Sequence, residues 1–119
     1  MTGVQTCALP ILANVLLLAG FERVPITIVD GPSMCWLVRG PSSSAIDGQV
    51  GDLVSLLPLT GDVNGVRTKG LYYALKGEAL SFGKPRGVSN VLIAEHAEVS
   101  VEGGLLLVIY TNVEEAGGV

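Results

Sequence analysis

The stretch AEVSVEGGLLLVIY, residues 97–110, contains the two strand patterns that decide the fold. Apolar and polar side chains alternate over Ala97–Val101, which is the pattern of a strand with one buried face. Gly103 and Gly104 then mark a turn, and the unbroken apolar run Leu105–Tyr110 is typical of a central strand. Residues 97–110 therefore predict a sheet protein whose last strand is deeply buried.

The composition of the whole chain agrees with an all-β class. Hydrophobic residues make up 49% of the 119 residues and charged residues 15%, which excludes a disordered chain. The sixteen glycines and six prolines favour many tight turns over long helices. Since the length suits one ordinary core, we expect a single sandwich or barrel domain.

Turn residues divide the middle of the chain into further strands. Val24–Val29 and Met34–Arg39 flank the turn sequence Asp30-Gly31-Pro32, which predicts a hairpin. A buried strand is predicted at 53–57, ended by Pro58.

Two polar stretches are predicted to be connections between strands. Pro41-Ser42-Ser43-Ser44 has the composition of a polar loop, and Asn64-Gly65 is the strongest short hairpin signal in the sequence.

The first twenty residues carry no charged side chain, yet they lack the cationic region and cleavage site of a secretory signal. Back-translation of residues 1–11 gives a DNA string that resembles a sequencing-library adapter, so this segment is expected to be artefactual. Leu12–Gly20 is expected to be a short helix that is apolar nearly all round and needs a partner. The domain proper is assigned to residues 21–111, followed by a polar tail at 112–119.

Charge and cysteine content limit the choice of partners and compartment. The net charge is −4 and the seven basic residues are scattered, which argues against nucleic acid as a partner. The apolar run at 11–19 is too short to span a bilayer, so no membrane partner is expected. If Cys7 belongs to the artefactual segment, Cys35 has no partner for a disulfide, which fits a reducing cytoplasm.

The sequence contains no self-contained catalytic motif. Phosphate-binding GxxxxGK[ST], GxGxxG and GxSxG patterns are all absent. The single His96 has no second histidine or cysteine nearby and is interpreted as a surface or satisfied residue. The aspartates at 30, 47, 52 and 62 each adjoin a glycine, where turn formation explains them at least as well as metal binding.

Two stretches suggest a ligand site. In Tyr72-Tyr73, if both lie on a strand, one ring enters the core while the other is free to stack on a flat ligand; the alternative is that both rings pack. Ser89-Asn90 ends a glycine-containing loop and offers donors and acceptors suited to an aminopyrimidine edge. The alternative for this pair is turn capping.

At these residues the sequence resembles the C-terminal half of thiamine pyrophosphokinase (thiamine diphosphokinase), most closely the bacterial members. The matching pieces keep the order of the family: LANVLLLA at 12–19, GQVGDLVSLLPLTG at 48–61, VxTxGLYYxL at 66–75, FGKPRGVSN at 82–90 and AxVSVEGGLLLVI at 97–109.

The resemblance implies a two-domain, homodimeric cytoplasmic enzyme. An α/β domain would bind ATP and Mg²⁺, and an antiparallel β-sandwich would help to bind thiamine. The reaction would transfer pyrophosphate from ATP to thiamine, which gives thiamine diphosphate and AMP. This chain would then be the sandwich with a short N-terminal helix left from the missing α/β domain.

The resemblance also assigns residues. Tyr73, Ser89 and Asn90 match thiamine-binding positions, and Asn14 matches the end of an R-x-D-H-x-L-x-N motif. Residues 6–9, TCAL, stand where the Arg, Asp and His of that motif are expected. We therefore expect a truncated and inactive fragment that binds neither ATP nor Mg²⁺ by itself and that associates through an exposed apolar patch. The competing interpretation is a non-enzymatic binding or structural β-sandwich module.

Overall fold

The computed structural model describes residues 27–59, 61–84 and 89–114. Strands within these ranges form two antiparallel sheets, with the order β1-β2-β9-β4-β7 in one and β3-β8-β5-β6 in the other. The strands are β1 (Thr27–Asp30), β2 (Ser33–Arg39), β3 (Ser42–Asp47), β4 (Leu53–Pro58), β5 (Val63–Lys69), β6 (Lys76–Leu80), β7 (Asn90–Val91), β8 (His96–Val101) and β9 (Leu105–Thr111). The predicted antiparallel β-sandwich is confirmed. The predicted helix at 12–20 and the segment 1–11 lie outside the described residues.

Strand β9 is the centre of the five-stranded sheet, as its apolar run predicts. It pairs with β2 on one side and with β4 on the other along nearly its whole length. Leu106, Val108 and Tyr110 point into the core between the sheets. Leu107 points to the opposite face, where it packs with Cys35 and neighbouring aliphatic side chains. An unbroken apolar sequence suits this strand because both of its faces contact apolar groups.

The alternation in residues 97–101 is also confirmed, since β8 buries Ala97, Val99 and Val101 and turns the intervening residues outward. The glycine pair at 103–104 carries the chain from β8 in one sheet to β9 in the other. The same core includes side chains from strands of both sheets and Leu92 next to β7: Val38, Ile46, Val54, Leu56, Val63, Val66, Leu80, Leu92, Leu106 and Val108. Each such aliphatic side chain stabilises the fold by about 1.5–3 kcal/mol when fully buried.

The predicted hairpin is confirmed over its described part. Strands β1 and β2 pair from Thr27↔Trp36 to Asp30↔Ser33, which leaves Gly31 and Pro32 as the turn. Strand β4 begins at Leu53 and ends at Pro58, as expected.

The predicted loop at 41–44 is wrong beyond Pro41, because Ser42 begins strand β3. This strand pairs with β8 over six residues, from Ser42↔Val101 to Asp47↔His96. It lies at the edge of its sheet and buries only Ile46. A polar sequence is tolerated at this edge because β8 supplies the backbone hydrogen bonds and most of the buried side chains. The serines of β3 are exposed or only partly buried.

The predicted turn at Asn64-Gly65 is wrong as well, since both residues lie inside β5. Gly65 has φ +62°, and the pairing of β5 with β6 shifts register between Val63 and Val66. A Cβ added at Gly65 would fall within the Glu102 side chain. The glycine therefore serves a β-bulge and a close approach of two segments rather than a hairpin turn.

Candidate functional site

Three connecting segments meet at one end of the sandwich, around β7. Residues 70–73 run alongside 91–93, with Tyr72 N–H donating to Val91 O (N···O 2.9 Å) and Ile93 N–H donating to Gly70 O (2.9 Å). On the other side of 91–93, the Gly51 N–H donates to Leu92 O (2.9 Å). These backbone bonds fix the segments relative to the sheets, so side chains on them have defined places.

Tyr72 and Tyr73 lie in the connection between β5 and β6, and both rings are exposed, at 65% and 63%. The prediction that one of them enters the core is wrong. Gly70, at φ +82° and with Ala97 only 3.0 Å from where its Cβ would be, ends the extended run of β5. β7, beside the pair, is two residues long.

The two tyrosine rings contact each other. Their centroids are 4.8 Å apart and their planes are 85° apart, which is the edge-to-face arrangement that aromatic pairs favour. The contact restrains both rings while leaving most of their surface open to solvent. This geometry suits a platform against which a flat ligand can stack.

The Asn90 side chain is buried and bonded to the backbone of the tyrosine segment. Its Oδ1 accepts from Tyr73 N–H (2.9 Å) and from Val91 N–H (2.9 Å), and its Nδ2 donates to Tyr73 O (2.9 Å). Only 3% of the residue is exposed. The structure therefore brings Asn90 and Tyr73, which are 17 residues apart in the sequence, into direct contact.

Ser89 is exposed and adjoins Asn90 at the rim of the same end. Its φ of +62° is uncommon for a residue with a side chain, and its N–H donates to Ser55 Oγ (3.2 Å) on β4. Backbone strain of this kind is typical of residues whose placement serves a function.

Apolar surface continues from the tyrosine pair onto the neighbouring strands. Val91 pairs with Leu53, and the bond from Tyr72 N–H places Tyr72 beside Val91. Leu53 and Ile93 are 42% and 54% exposed. The two tyrosines therefore border a strip of exposed aliphatic groups.

Asp52 anchors this end from inside the protein. Its carboxylate accepts from Tyr110 Oη (2.5 Å), Gln49 N–H (2.9 Å) and Val113 N–H (3.1 Å). Burial acts to raise the pKa of Asp52, but the three hydrogen bonds outweigh it and the pKa is lowered. The turn interpretation fits Asp52, whose main role in the fold is to join the 49–52 turn to β9 and the segment after it.

His96 is exposed and pairs with Asp47 across β3 and β8, with 2.8 Å between Nδ1 and Oδ1. The hydrogen bond and the charge of Asp47 raise the pKa of His96. This agrees with the interpretation of His96 as a satisfied surface histidine.

The backbone thus brings some of the predicted ligand residues close together. Tyr73, Ser89 and Asn90 are brought together, while Asn14 lies outside the described residues. Sequence reasoning missed Tyr72 as an exposed partner ring and Ser55 as the support of Ser89. The glycine before Leu71 was the available signal that the strand alternation stops there.

A separate groove of about 510 Å³ lies at the open side of the sandwich, between β2 and β3. Met34, Trp36 and Arg39 line it from β2, and Ser44 and Asp47 from β3. The Trp36 Nε1–H donates to Ser44 Oγ (2.9 Å) across it. Tyr73, Ser89 and Asn90 do not line this groove.

Within ranges 27–59, 61–84 and 89–114, no group of three or more His, Cys, Asp or Glu side chains is placed to hold a metal ion. In the same part of the chain, no helix has the length and apolarity needed to cross a membrane.

The fold defines a class: a two-sheet antiparallel β-sandwich domain, here with exposed aromatic and hydroxyl side chains at one end. Residues 44–106, more than half of the chain, match the family model of the thiamin pyrophosphokinase vitamin B1 binding domain. The chain belongs to this family.

Solved structures agree in fold. Thiamine pyrophosphokinase from Bacillus subtilis superposes with a TM-score of 0.78 at 22% identity over 86% of this chain and 49% of that one. Thiamin pyrophosphokinase from Geobacillus thermodenitrificans gives 0.74 at 25% identity over 86% and 47%. A thiamin pyrophosphokinase family protein from Enterococcus faecalis gives 0.68 at 24% identity over 86% and 49%. The chain spans about half the length of these structures. Curated protein sequences contain no match.

Proposed function

We propose that this chain binds thiamine at the β7 end of the sandwich, with Tyr73 and Ser89 facing the ligand. The observation that carries the proposal is the exposed Tyr73 ring, whose backbone is bonded to the side chain of Asn90 next to Ser89, in a chain that belongs to the vitamin B1 binding family.

The chemistry of thiamine suits these groups. Thiamine has two flat rings, of which the thiazolium carries a permanent positive charge. The open surface of the Tyr73 ring offers stacking and a cation–π contact to such a ligand. The Ser89 hydroxyl can both donate and accept, as recognition of an aminopyrimidine edge requires.

In this proposal the chain is the thiamine-binding part of a cytoplasmic thiamine diphosphokinase. The complete enzyme transfers pyrophosphate from ATP to the hydroxyethyl oxygen of thiamine and releases AMP. ATP and Mg²⁺ are assigned to the part of the enzyme that this chain does not span, in line with its matching about half of each solved relative. A homodimer is proposed as the working form, and the exposed strip beside the tyrosines supports a partner on that side.

The binding proposal is tested by titrating thiamine into the 119-residue chain by calorimetry. Tyr73→Ala is expected to weaken binding by ~1–3 kcal/mol, because the stacking surface is lost. Ser89→Ala is expected to weaken it less, by about 0.5–1.5 kcal/mol for one hydrogen bond. Val29→Ala, at the opposite edge of the same sheet and 65% exposed, and Ser43→Ala on β3 are the matched controls and should bind as the parent does.

Unchanged thiamine affinity in Tyr73→Ala would contradict the stacking role. The enzymatic part is tested with the gene completed upstream of this chain: incubation with thiamine, ATP and Mg²⁺ should yield thiamine diphosphate and AMP. A completed protein that binds thiamine without converting it would instead favour the non-enzymatic module.

A further inference from the structure

We infer that Asn90 is a positioning residue that acts on thiamine through Tyr73, and that the groups meeting the ligand are Tyr73 and Ser89. This inference rests on the proposed function. It differs from the sequence expectation, in which Asn90 itself meets the aminopyrimidine.

Most hydrogen-bonding positions of the Asn90 amide are already used within the protein. An asparagine amide offers two acceptor positions on Oδ1 and two donors on Nδ2. Both acceptor positions are used by backbone N–H groups, of Tyr73 and Val91, and one donor is used by Tyr73 O. Since two backbone donors must face an oxygen, the orientation of the amide is fixed by its partners. Only one N–H remains for anything else.

Asn90 is also less accessible to a ligand than Tyr73 and Ser89 are. Asn90 is 3% exposed, whereas Tyr73 is 63% exposed and Ser89 is also exposed. A ligand arriving from solvent therefore reaches the tyrosine ring and the serine hydroxyl before the asparagine amide. In the ladder, Asn90 pairs with the buried Val54 of β4, so its side chain points inward.

The exposed Tyr73 ring depends on its backbone for its position. A ring with so little packing around it is held mainly by its backbone and by the edge contact with Tyr72. The backbone N–H and C=O of Tyr73 both bond to the single Asn90 side chain. Removal of that side chain leaves the Tyr73 N–H and C=O without these two partners, so the position of the ring is less well defined and the stacking surface is less preorganised.

A double-mutant cycle on thiamine binding separates the two roles. Asn90→Ala alone is expected to weaken binding roughly tenfold, comparable to Tyr73→Ala, because the ring is misplaced. In a chain that already carries Tyr73→Ala, Asn90→Ala is expected to change the affinity less than about twofold. Independent, multiplicative losses would show that Asn90 meets the ligand directly and would overturn the inference.

A second readout needs no ligand. The Tyr73 amide proton should exchange with solvent at least tenfold faster in Asn90→Ala than in the parent, while amides of β9 such as Val108 keep their protection. Unchanged exchange at Tyr73 would also overturn the inference.

Asn90→Asp is a second variant, because Oδ1 of a carboxylate keeps both acceptor contacts while an oxygen that cannot donate replaces the amide nitrogen facing Tyr73 O. It is expected to restore slow exchange at Tyr73. Fast exchange at Tyr73 in Asn90→Asp with an intact β9 would contradict the assigned role of Oδ1. If the parent chain does not bind thiamine, the proposed function fails, and the exchange measurements still decide whether Asn90 holds Tyr73.

Discussion

Asp52 is a buried carboxylate that accepts three hydrogen bonds. Its carboxylate accepts from one hydroxyl and two backbone N–H donors that lie up to 61 residues from Asp52 in the sequence. Removal of the charge leaves these buried donors with a poorer partner, which is more costly than the loss of an exposed hydrogen bond. The residue therefore links the candidate site to the stability of the fold.

Asp52 should also make the stability depend on pH. A carboxyl whose pKa is lower in the folded than in the unfolded chain stabilises the fold above its unfolded pKa, about 3.9, and this contribution is lost as the pH falls through the folded pKa. In urea unfolding between pH 7 and pH 2, Asp52→Asn should cost about 1–3 kcal/mol at pH 7 and less at the acid end. An equal loss at both ends of the range would contradict this assignment. Asp30→Asn, in the hairpin, is the charge-matched control.

His96 offers a second test at the residue scale. Because its pKa is raised by Asp47, the pair stabilises the fold below the unfolded histidine pKa of about 6.5, and the contribution is lost as the pH rises through the folded value. Both groups are exposed, so the effect on stability is small. An NMR titration should show the pKa of His96 falling in Asp47→Asn. A titration curve that does not move would show that the pair is not formed in solution.

At the scale of strands, the regular patterns were predictable and the irregular ones were not. Alternation predicted β8, and the unbroken apolar run predicted β9, because burial of one face or of both faces determines where apolar residues occur in the sequence. Strand β3 has no such pattern, since its backbone hydrogen bonds are made with β8, 49 or more residues away in the sequence. Asn64-Gly65 misled because a glycine with positive φ serves a bulge as well as a turn.

Gly65 gives the prediction for this scale. Gly65→Ala places a methyl group at φ +62° and against Glu102, so a loss of about 1–2 kcal/mol in the free energy of unfolding is expected. Gly103→Ala is the matched control, because its φ is not positive and nothing lies within 4 Å of the added Cβ. Equal stabilities for the two variants in urea unfolding would rule out the bulge as the reason for Gly65.

The sequence predicted which residues form the candidate site, but it did not predict what each of them contacts. The resemblance selected Tyr73, Ser89 and Asn90, and the structure places them together. That Asn90 is buried with its amide on the Tyr73 backbone follows from the path of residues 70–73 beside β7, a contact between distant segments that no local pattern encodes.

At the scale of the whole molecule, two regions among the described residues are compared as candidate places for thiamine. One is the β7 end, with the tyrosine pair and Ser89, and the other is the groove between β2 and β3. The two lie on different strands of the five-stranded sheet, β7 at one edge and β2 beside the other edge. The account assigns thiamine to the β7 end because the exposed rings and hydroxyl there match its flat, cationic chemistry.

The most direct test of this assignment is an NMR titration of the isotope-labelled chain with thiamine, read residue by residue. The account predicts that amide and ring signals of Tyr72, Tyr73 and Ser89 shift in a saturable manner. The Trp36 indole and Ser44 amide, in the groove between β2 and β3, should stay in place. Shifts confined to Trp36 and Ser44, or no shifts at saturating thiamine, would contradict it.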